Sequence, residues 1–214
     1  MQKFGLSLIM MSLMTMVGCQ SIATPKNLAL NSQVEQNLAA REDAQARPNK
    51  IDFKKIKHDQ QRPIIALVLG SGGARGYAHI GVIEVLEEAG IKPDLIVGTS
   101  AGSIAGVLYA SGKPAIELRN IATSMKANDV RDIKLGLKGF FDGKKVEDYV
   151  NTQVHDLSLQ DMKIPMYVVA TELKEGKTTV FNYGNTGQAV RASVSIPSMF
   201  IPTKIQDKEY VDGG

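Results

Sequence analysis

Tryptophan is absent from this 214-residue sequence, and cysteine occurs once, as Cys19. A single cysteine excludes an intramolecular disulfide, so cysteine pairing cannot indicate a redox compartment. Basic and acidic residues are nearly balanced, with 25 Lys and Arg against 22 Asp and Glu. The formal net charge is +3, and no basic stretch is interleaved with aromatic residues, which argues against nucleic-acid binding. The short basic cluster Lys54, Lys55 and Lys57 is typical of a solvated stretch, although it could also favour an anionic lipid surface.

The composition is that of an ordinary globular protein, with 43% hydrophobic and 22% charged residues. The length leaves room for one compact domain with extensions. Residues 20–62 have few large apolar side chains, so this segment cannot bury enough surface to fold alone. We therefore expect a signal segment over residues 1–18, a polar tether over 19–62 and one folded domain over 63–214.

The N-terminal apolar run, Phe4 to Val17, has the length of a signal-peptide core and is too short to span a bilayer comfortably. It ends in Met16-Val17-Gly18-Cys19, which resembles the lipobox of bacterial lipoproteins, although Met16 stands where Leu is usual. The resemblance implies a lipidated Cys19 at the mature N-terminus, in the bacterial cell envelope. Gln20, instead of the Asp that commonly retains lipoproteins in the inner membrane, favours the outer membrane. The alternative is an ordinary secretory signal with an incidental cysteine.

From Pro63 onwards, short apolar runs alternate with amphipathic segments, the pattern of an α/β layered fold. The predicted strands are Ile64–Leu69, Asp94–Val97, Met166–Thr171, Thr178–Phe181 and Glu209–Val211. The predicted helices are Ala78–Ala89, Ala101–Ala110, Pro114–Met125 and Lys144–Val154. Turns are predicted at Phe140–Gly143 and, closing a hairpin, at Lys174–Lys177.

Gly98-Thr99-Ser100-Ala101-Gly102 matches the GxSxG pattern, in which a serine is held exposed on a sharp turn from strand to helix. The match falls between a predicted strand and a predicted helix, where such a turn is required. The free N–H groups at the start of the helix would favour negative charge beside Ser100. The alternative interpretation is a turn of small residues that permits close helix packing.

A second glycine cluster, Gly70-Ser71-Gly72-Gly73-Ala74-Arg75-Gly76, also follows a predicted strand and precedes a helix. Its backbone N–H groups could cradle a phosphate or stabilise the oxyanion of acyl transfer. A dinucleotide fingerprint starting at Gly70 would need glycine at Arg75, and the Gly-Lys-Ser/Thr ending of a P-loop is absent. The oxyanion interpretation is favoured because a candidate nucleophile follows one strand–helix unit later.

A serine nucleophile needs a base, usually histidine. The three histidines are poorly placed for this role, since His58 lies in the tether, His79 begins a helix after the glycine cluster, and His155 lies in a polar stretch. Asp212, in Asp212-Gly213-Gly214, follows a predicted strand and could itself reach the serine hydroxyl. Taken alone, this motif would be read as a turn.

The ordered motifs GSGGARG, GTSAG and DGG together resemble the patatin-like phospholipase family, over roughly Ile64 to Gly214. The resemblance implies a three-layer α/β/α fold with a mainly parallel central sheet and a Ser–Asp dyad. It assigns Ser100 as nucleophile, Asp212 as base, and the N–H groups of Gly72, Gly73 and Ala74, beside Arg75, as the oxyanion hole. The stretch Arg191 to Pro197 also resembles a family segment before the last strand. Family domains usually continue past DGG, so the resemblance implies a fold that is incomplete at the C-terminus.

The expected function is therefore hydrolysis of acyl esters, with membrane phospholipid or another acyl ester as substrate and without a metal or organic cofactor. Two alternatives stay open. One is a serine hydrolase acting on soluble thioesters or small esters, and the other is a catalytically inactive lipoprotein that binds lipid or a partner.

Overall fold

A computed structural model describes residues 42–48, Lys54, 61–136 and 139–214. The apolar N-terminal run, Cys19 and most of the predicted tether lie outside these residues. Within the ranges that the structure covers, no helix is both long and apolar enough to cross a membrane.

Strands and helices alternate along the described chain. The strands are β1 (Ala66–Leu69), β2 (Leu95–Thr99), β3 (Ile133–Gly136), β4 (Gly139–Phe141), β5 (Met166–Glu172), β6 (Lys177–Phe181), β7 (Thr203–Ile205) and β8 (Lys208–Asp212). The α-helices are α1 (Tyr77–Glu88), α2 (Ala101–Ala110), α3 (Ala115–Ser124), α4 (Ala127–Val130), α5 (Lys144–Gln153) and α6 (Thr186–Ser193). Short 3₁₀ helices cover Gly73–Gly76 and Leu159–Asp161.

Six strands of the described chain form one sheet in the order β1-β2-β5-β8-β7, and β6 pairs with β5 outside this path. Strands β1, β2 and β5 are parallel neighbours, and β6, β8 and β7 are added by antiparallel pairing. Both parallel crossovers advance in the same direction, so right-handed connections put their helices on one face of the sheet. The predicted α/β class is confirmed.

The pairing along β5 brings two strand ends together. Val168 and Val169 pair with β2 and β6, whereas Ala170 to Glu172 pair with β6 and β8. A strand has only two edges, so β2 and β8 occupy the same edge of β5, one after the other. They run in opposite directions, and their carboxyl ends meet where Thr99 pairs with Val169 and Asp212 pairs with Ala170.

Helix α2 approaches the sheet closely because small residues line the contact. A Cβ on Gly98 would lie 2.6 Å from the carbonyl oxygen of Gly102. A Cβ on Gly102 would overlap the carbonyl of Leu69. This close approach places the start of α2 at the carboxyl ends of β1 and β2. The core beneath includes Ile83, Ile96, Val107, Leu118 and Val168.

Most predicted elements are present, with ends that differ by one to two residues, and β6 follows β5 through the predicted hairpin turn. The prediction of a turn at Phe140–Gly143 is wrong for its first two residues. Phe140 and Phe141 belong to β4, which pairs with β3 and whose backbone also bonds to Met199. Helices α4 and α6 and strands β3, β4 and β7 have no counterpart among the predicted elements, because all are short and none shows a clear apolar period.

Residues 42–48, assigned above to the polar tether, pack against the domain as an N-terminal strap. Backbone N–H groups of Gln45 and Tyr183 donate to each other's carbonyl oxygens at 3.0 and 3.2 Å. The guanidinium carbon of Arg47 lies 3.3 Å from the centroid of the Tyr183 ring. Ala44 is only 2% exposed, and its N–H donates to the side-chain oxygen of Gln188 in α6 (2.7 Å). The folded unit therefore includes residues N-terminal to the predicted boundary at residue 63.

We predict that Ala44→Asp lowers the free energy of unfolding by about 1–3 kcal/mol, because a carboxylate would be buried without a partner. Ala46→Asp is the matched control, since Ala46 is an exposed alanine of the same strap, and its effect should stay within about 0.5 kcal/mol. Urea unfolding followed by circular dichroism measures both. Equal losses in the two variants would contradict the docking of the strap.

Candidate active site

Ser100 stands at the turn between β2 and α2, with φ 52° and ψ −124°. Positive φ is uncommon for a residue that carries a side chain and is found at strained turns. Gly98 and Gly102 flank it and permit the tight passage from strand to helix. Ser100 is 4% exposed, so its hydroxyl lies in a largely water-excluded environment. The sharp turn from strand to helix is what the GxSxG pattern predicts, whereas the expected exposure of the serine is not seen.

The hydroxyl of Ser100 donates to Oδ2 of Asp212 at 2.5 Å. The shared edge of β5 explains the meeting, since Thr99 and Asp212 pair with the consecutive residues Val169 and Ala170. The other carboxylate oxygen, Oδ1, accepts the N–H of Gly214 at 2.8 Å. Each oxygen of Asp212 thus has a separate partner, which fixes the orientation of the carboxylate. Ser100 and Asp212, the two residues that the sequence suggested as a pair, lie 112 positions apart in the chain and are in contact in the structure.

The last residue of α6 and the segment just after it form hydrogen bonds with the backbone of Ser100 and Asp212. The N–H of Ser100 donates to Oγ of Ser193 at 2.8 Å, and the N–H of Asp212 donates to the carbonyl oxygen of Ser195 at 2.9 Å. Sequence reasoning did not assign Ser193 or Ser195 to the site. The available signal was the segment Arg191 to Pro197, which resembled a family segment without suggesting a role for its serines.

The glycine cluster lies beside the start of α2. A Cβ on Gly76 would lie 2.5 Å from Cβ of Ala101, the residue after Ser100. Gly73 has φ 54°, which favours glycine, and begins the 3₁₀ helix Gly73–Gly76. The first N–H groups of a helix have no acceptor within it, so those of Gly73 and Ala74 are suited to bind an anion.

The N–H of Arg75, which was also predicted to lie at the oxyanion hole, is different, because it donates to the carbonyl oxygen of Gly72 at 3.0 Å. Arg75 therefore supports the loop with its backbone and does not offer this N–H to a ligand.

Of the histidines that the structure describes, neither forms a hydrogen bond with Ser100 or Asp212. Nε2 of His79 donates to the carbonyl oxygen of Gly70 at 2.9 Å and so ties α1 to the glycine cluster. His155 is exposed just beyond α5, with φ 55°. His58 and Cys19 lie outside the described residues. Among the residues that are described, no group of three or more His, Cys, Asp or Glu side chains is arranged to hold a metal ion.

A pocket of about 290 Å³ adjoins the site. Gly73 and Ala74 of the glycine cluster and Ala101 of α2 form one part of its wall. Much of the remaining lining is apolar and comes from Ile80, Ile104, Leu108, Leu118, Ile121 and Met125. Tyr149 and Arg131 add polar groups. Burial raises the pKa of Tyr149, so its phenol stays neutral at physiological pH. The pocket therefore presents a mainly apolar surface directly beside the candidate oxyanion donors.

Residues 67–214 match the family model described as Patatin-like phospholipase. The chain belongs to the patatin-like phospholipase family. The matched region contains Ser100, Asp212 and the whole glycine cluster, and it begins after the N-terminal strap.

Several relatives within or near this family are similar over much of the chain. An uncharacterized NTE family protein of Mycobacterium tuberculosis is 37% identical over 155 residues, which cover 71% of this chain and 43% of that protein. The human patatin-like phospholipase domain-containing protein 6 is 34% identical over 172 residues, covering 76% of this chain and 12% of that protein. The chain thus spans less than half the length of either relative.

Among solved structures, VipD from Legionella pneumophila has a similar fold, with a TM-score of 0.59 and 16% sequence identity. The likeness covers 72% of this chain and 46% of VipD. At this level of identity the comparison shows a shared fold and nothing about substrate.

Proposed function

We propose that this patatin-like chain is a serine acyl hydrolase of the phospholipase A or lipid esterase type, which serves lipid catabolism. Ser100 is the nucleophile and Asp212 is its base. The observation that carries the proposal is the 2.5 Å hydrogen bond from the Ser100 hydroxyl to the Asp212 carboxylate. This hydrogen bond places the carboxylate where it can accept the proton of the Ser100 hydroxyl.

The reaction has two halves. In the first, the proton of Ser100 Oγ moves to Oδ2 of Asp212 while Oγ bonds to the ester carbonyl carbon, whose π electron pair shifts onto its oxygen. The carbon–oxygen bond to the alcohol then breaks, the alcohol takes the proton from Asp212, and the acyl group stays on Ser100. In the second half, water gives its proton to Asp212, attacks the acyl carbon and releases the acid, and Ser100 recovers its proton.

The oxyanion formed in each half needs hydrogen-bond donors. Backbone N–H groups of Gly72, Gly73 and Ala74 are the proposed donors, and each well-placed donor contributes about 3 kcal/mol to stabilising such an intermediate. Asp212 is a weaker base than histidine, so a dyad depends more on this stabilisation. The N–H groups of Arg75 and Ser100 are engaged elsewhere and are not among the proposed donors.

We predict that Asp212→Asn lowers kcat for a nitrophenyl acyl ester by about 10²–10⁴-fold, because the amide keeps the size of the side chain but cannot take up a proton. Ser100→Ala should remove hydrolysis while the protein stays folded, since the hydroxyl serves covalent chemistry. His155→Ala is the control and should keep the wild-type kcat, and His79→Ala should not abolish turnover. If His155→Ala loses activity while Asp212→Asn retains it, a conventional triad replaces the proposed dyad.

The substrate in this proposal is a membrane phospholipid or another long-chain acyl ester. The apolar lining of the pocket beside Ala101 and the glycine cluster supports an acyl chain as the bound group. The names of the related proteins, which include a phospholipase domain-containing protein and Neuropathy target esterase sws, agree with an ester of this class. The rival substrate is a soluble thioester or small ester.

We predict that kcat/KM rises with acyl-chain length in a series of esters from acetyl to longer fatty acyl groups, because each buried methylene contributes up to about 0.8 kcal/mol. The series can be measured with monomeric substrates below their aggregation concentrations. A value of kcat/KM that is highest for the acetyl ester would favour the soluble-substrate alternative. No turnover of any ester would favour the inactive, lipid- or partner-binding lipoprotein.

We further propose that the protein is held at the bacterial envelope, preferably the outer membrane, by lipid on Cys19. The support is the apolar run that ends in Val17-Gly18-Cys19. Radiolabelled palmitate supplied to a bacterial host should label the wild-type protein, and Cys19→Ser should abolish the label because the thiol is the acceptor. A mature protein that begins at any other residue would contradict the anchor.

A further inference from the structure

We propose that Ser193 is a positioning residue for the nucleophile, a role that rests on the function proposed for Ser100. Its hydroxyl holds the backbone of Ser100 in the conformation that directs Oγ to Asp212. Ser193 is 0% exposed, so it acts on the reaction through Ser100 and without contact to substrate.

Ser100 needs such support because its backbone is strained. For a residue with a side chain, φ 52° and ψ −124° is a sparsely populated conformation that persists only where its surroundings fix it. On the carbonyl side, the fixing contacts are local, since the N–H and hydroxyl of Ser103 donate to the Ser100 oxygen at 2.8 and 2.6 Å. On the N–H side, the contact comes from Ser193, 93 residues away in α6.

The direction of the hydrogen bonds at Ser193 is determined. A serine hydroxyl has one proton to donate, and Ser193 donates it to the carbonyl oxygen of Val169 at 2.6 Å. Its lone pairs are then the acceptors for the N–H of Ser100 at 2.8 Å. Val169 is also the β5 residue that pairs with Thr99. One hydroxyl therefore links α6, β5 and the turn at Ser100 around the point where β2 and β8 meet.

Loss of this hydroxyl would leave the buried N–H of Ser100 without its acceptor, which carries a free-energy cost. The turn can lower this cost by rotating towards an ordinary backbone conformation, which would carry Oγ away from Asp212. Displacement of a reacting group by about 1 Å can reduce the rate by roughly 10²-fold. The expected signature is a fall in kcat with little change in KM, because no substrate contact is lost.

The test compares Ser193→Ala with Ser158→Ala in the full chain. Ser158 is also 0% exposed and its hydroxyl also has a partner, the carboxylate of Asp161, but it lies before the 3₁₀ helix Leu159–Asp161. Thermal unfolding and the separate kcat and KM values for a nitrophenyl acyl ester are measured for both variants. We expect both to lose stability and only Ser193→Ala to lose kcat, by roughly 10²-fold. Wild-type kcat in Ser193→Ala, or the same loss of kcat in Ser158→Ala, would overturn the proposal.

If Ser193→Ala does not fold, Ser193→Cys decides the question, since sulfur is a weaker acceptor in a side chain of similar size. A lower kcat at unchanged KM supports the positioning role, and an unchanged kcat overturns it. The outcome is separate from that of the proposed function. Wild-type turnover by Ser100→Ala refutes the nucleophile itself, whereas an inactive Ser100→Ala beside a fully active Ser193→Ala refutes only the positioning role.

Discussion

The arrangement of the site depends on one constraint in the sheet, the sharing of a single edge of β5 by two strands that run towards each other. Strand β2 pairs with the first half of that edge and β8 with the second. Their carboxyl ends therefore meet, and Ser100 and Asp212, which lie at these two ends, come into contact. The 2.5 Å contact between Ser100 and Asp212 follows from this register. A slip of one residue in either strand would turn its side chains to the opposite face and separate the pair.

Helices α2 and α6 and the glycine cluster pack around the point where β2 and β8 meet. Glycines in and around the GxSxG turn let α2 start close against the sheet, where the Leu69 and Gly102 backbones nearly touch. The glycine cluster then packs against Ala101, so candidate oxyanion donors lie close to Ser100. At the C-terminal end of α6, Ser193 accepts the N–H of Ser100, and Ser195, two residues later, accepts the N–H of Asp212. The N-terminal strap contacts the other end of α6 at Gln188, which links a segment outside the family match to the helix beside the site.

The sequence was informative wherever chemistry or periodicity is local. The motifs around Ser100 and Asp212 and the glycine cluster were visible as short patterns, and the longer apolar strands and helices were found close to their observed ends. The register that unites β2, β5 and β8 was not visible, because pairing depends on contacts between distant segments. Ser193 was missed because a serine in a short polar helix has no distinguishing local pattern. The strap was missed because its buried contacts involve mainly backbone groups and one small alanine side chain.

Asp212 is proposed to activate Ser100 as a nucleophile. This activation can be tested by reaction of the whole protein with a fluorophosphonate, followed by peptide mass spectrometry to locate the adduct, because such reagents modify activated serines. One adduct is expected, on Ser100, and it should form much more slowly in Asp212→Asn. An adduct on a different serine, or equal rates in the wild type and in Asp212→Asn, would contradict it.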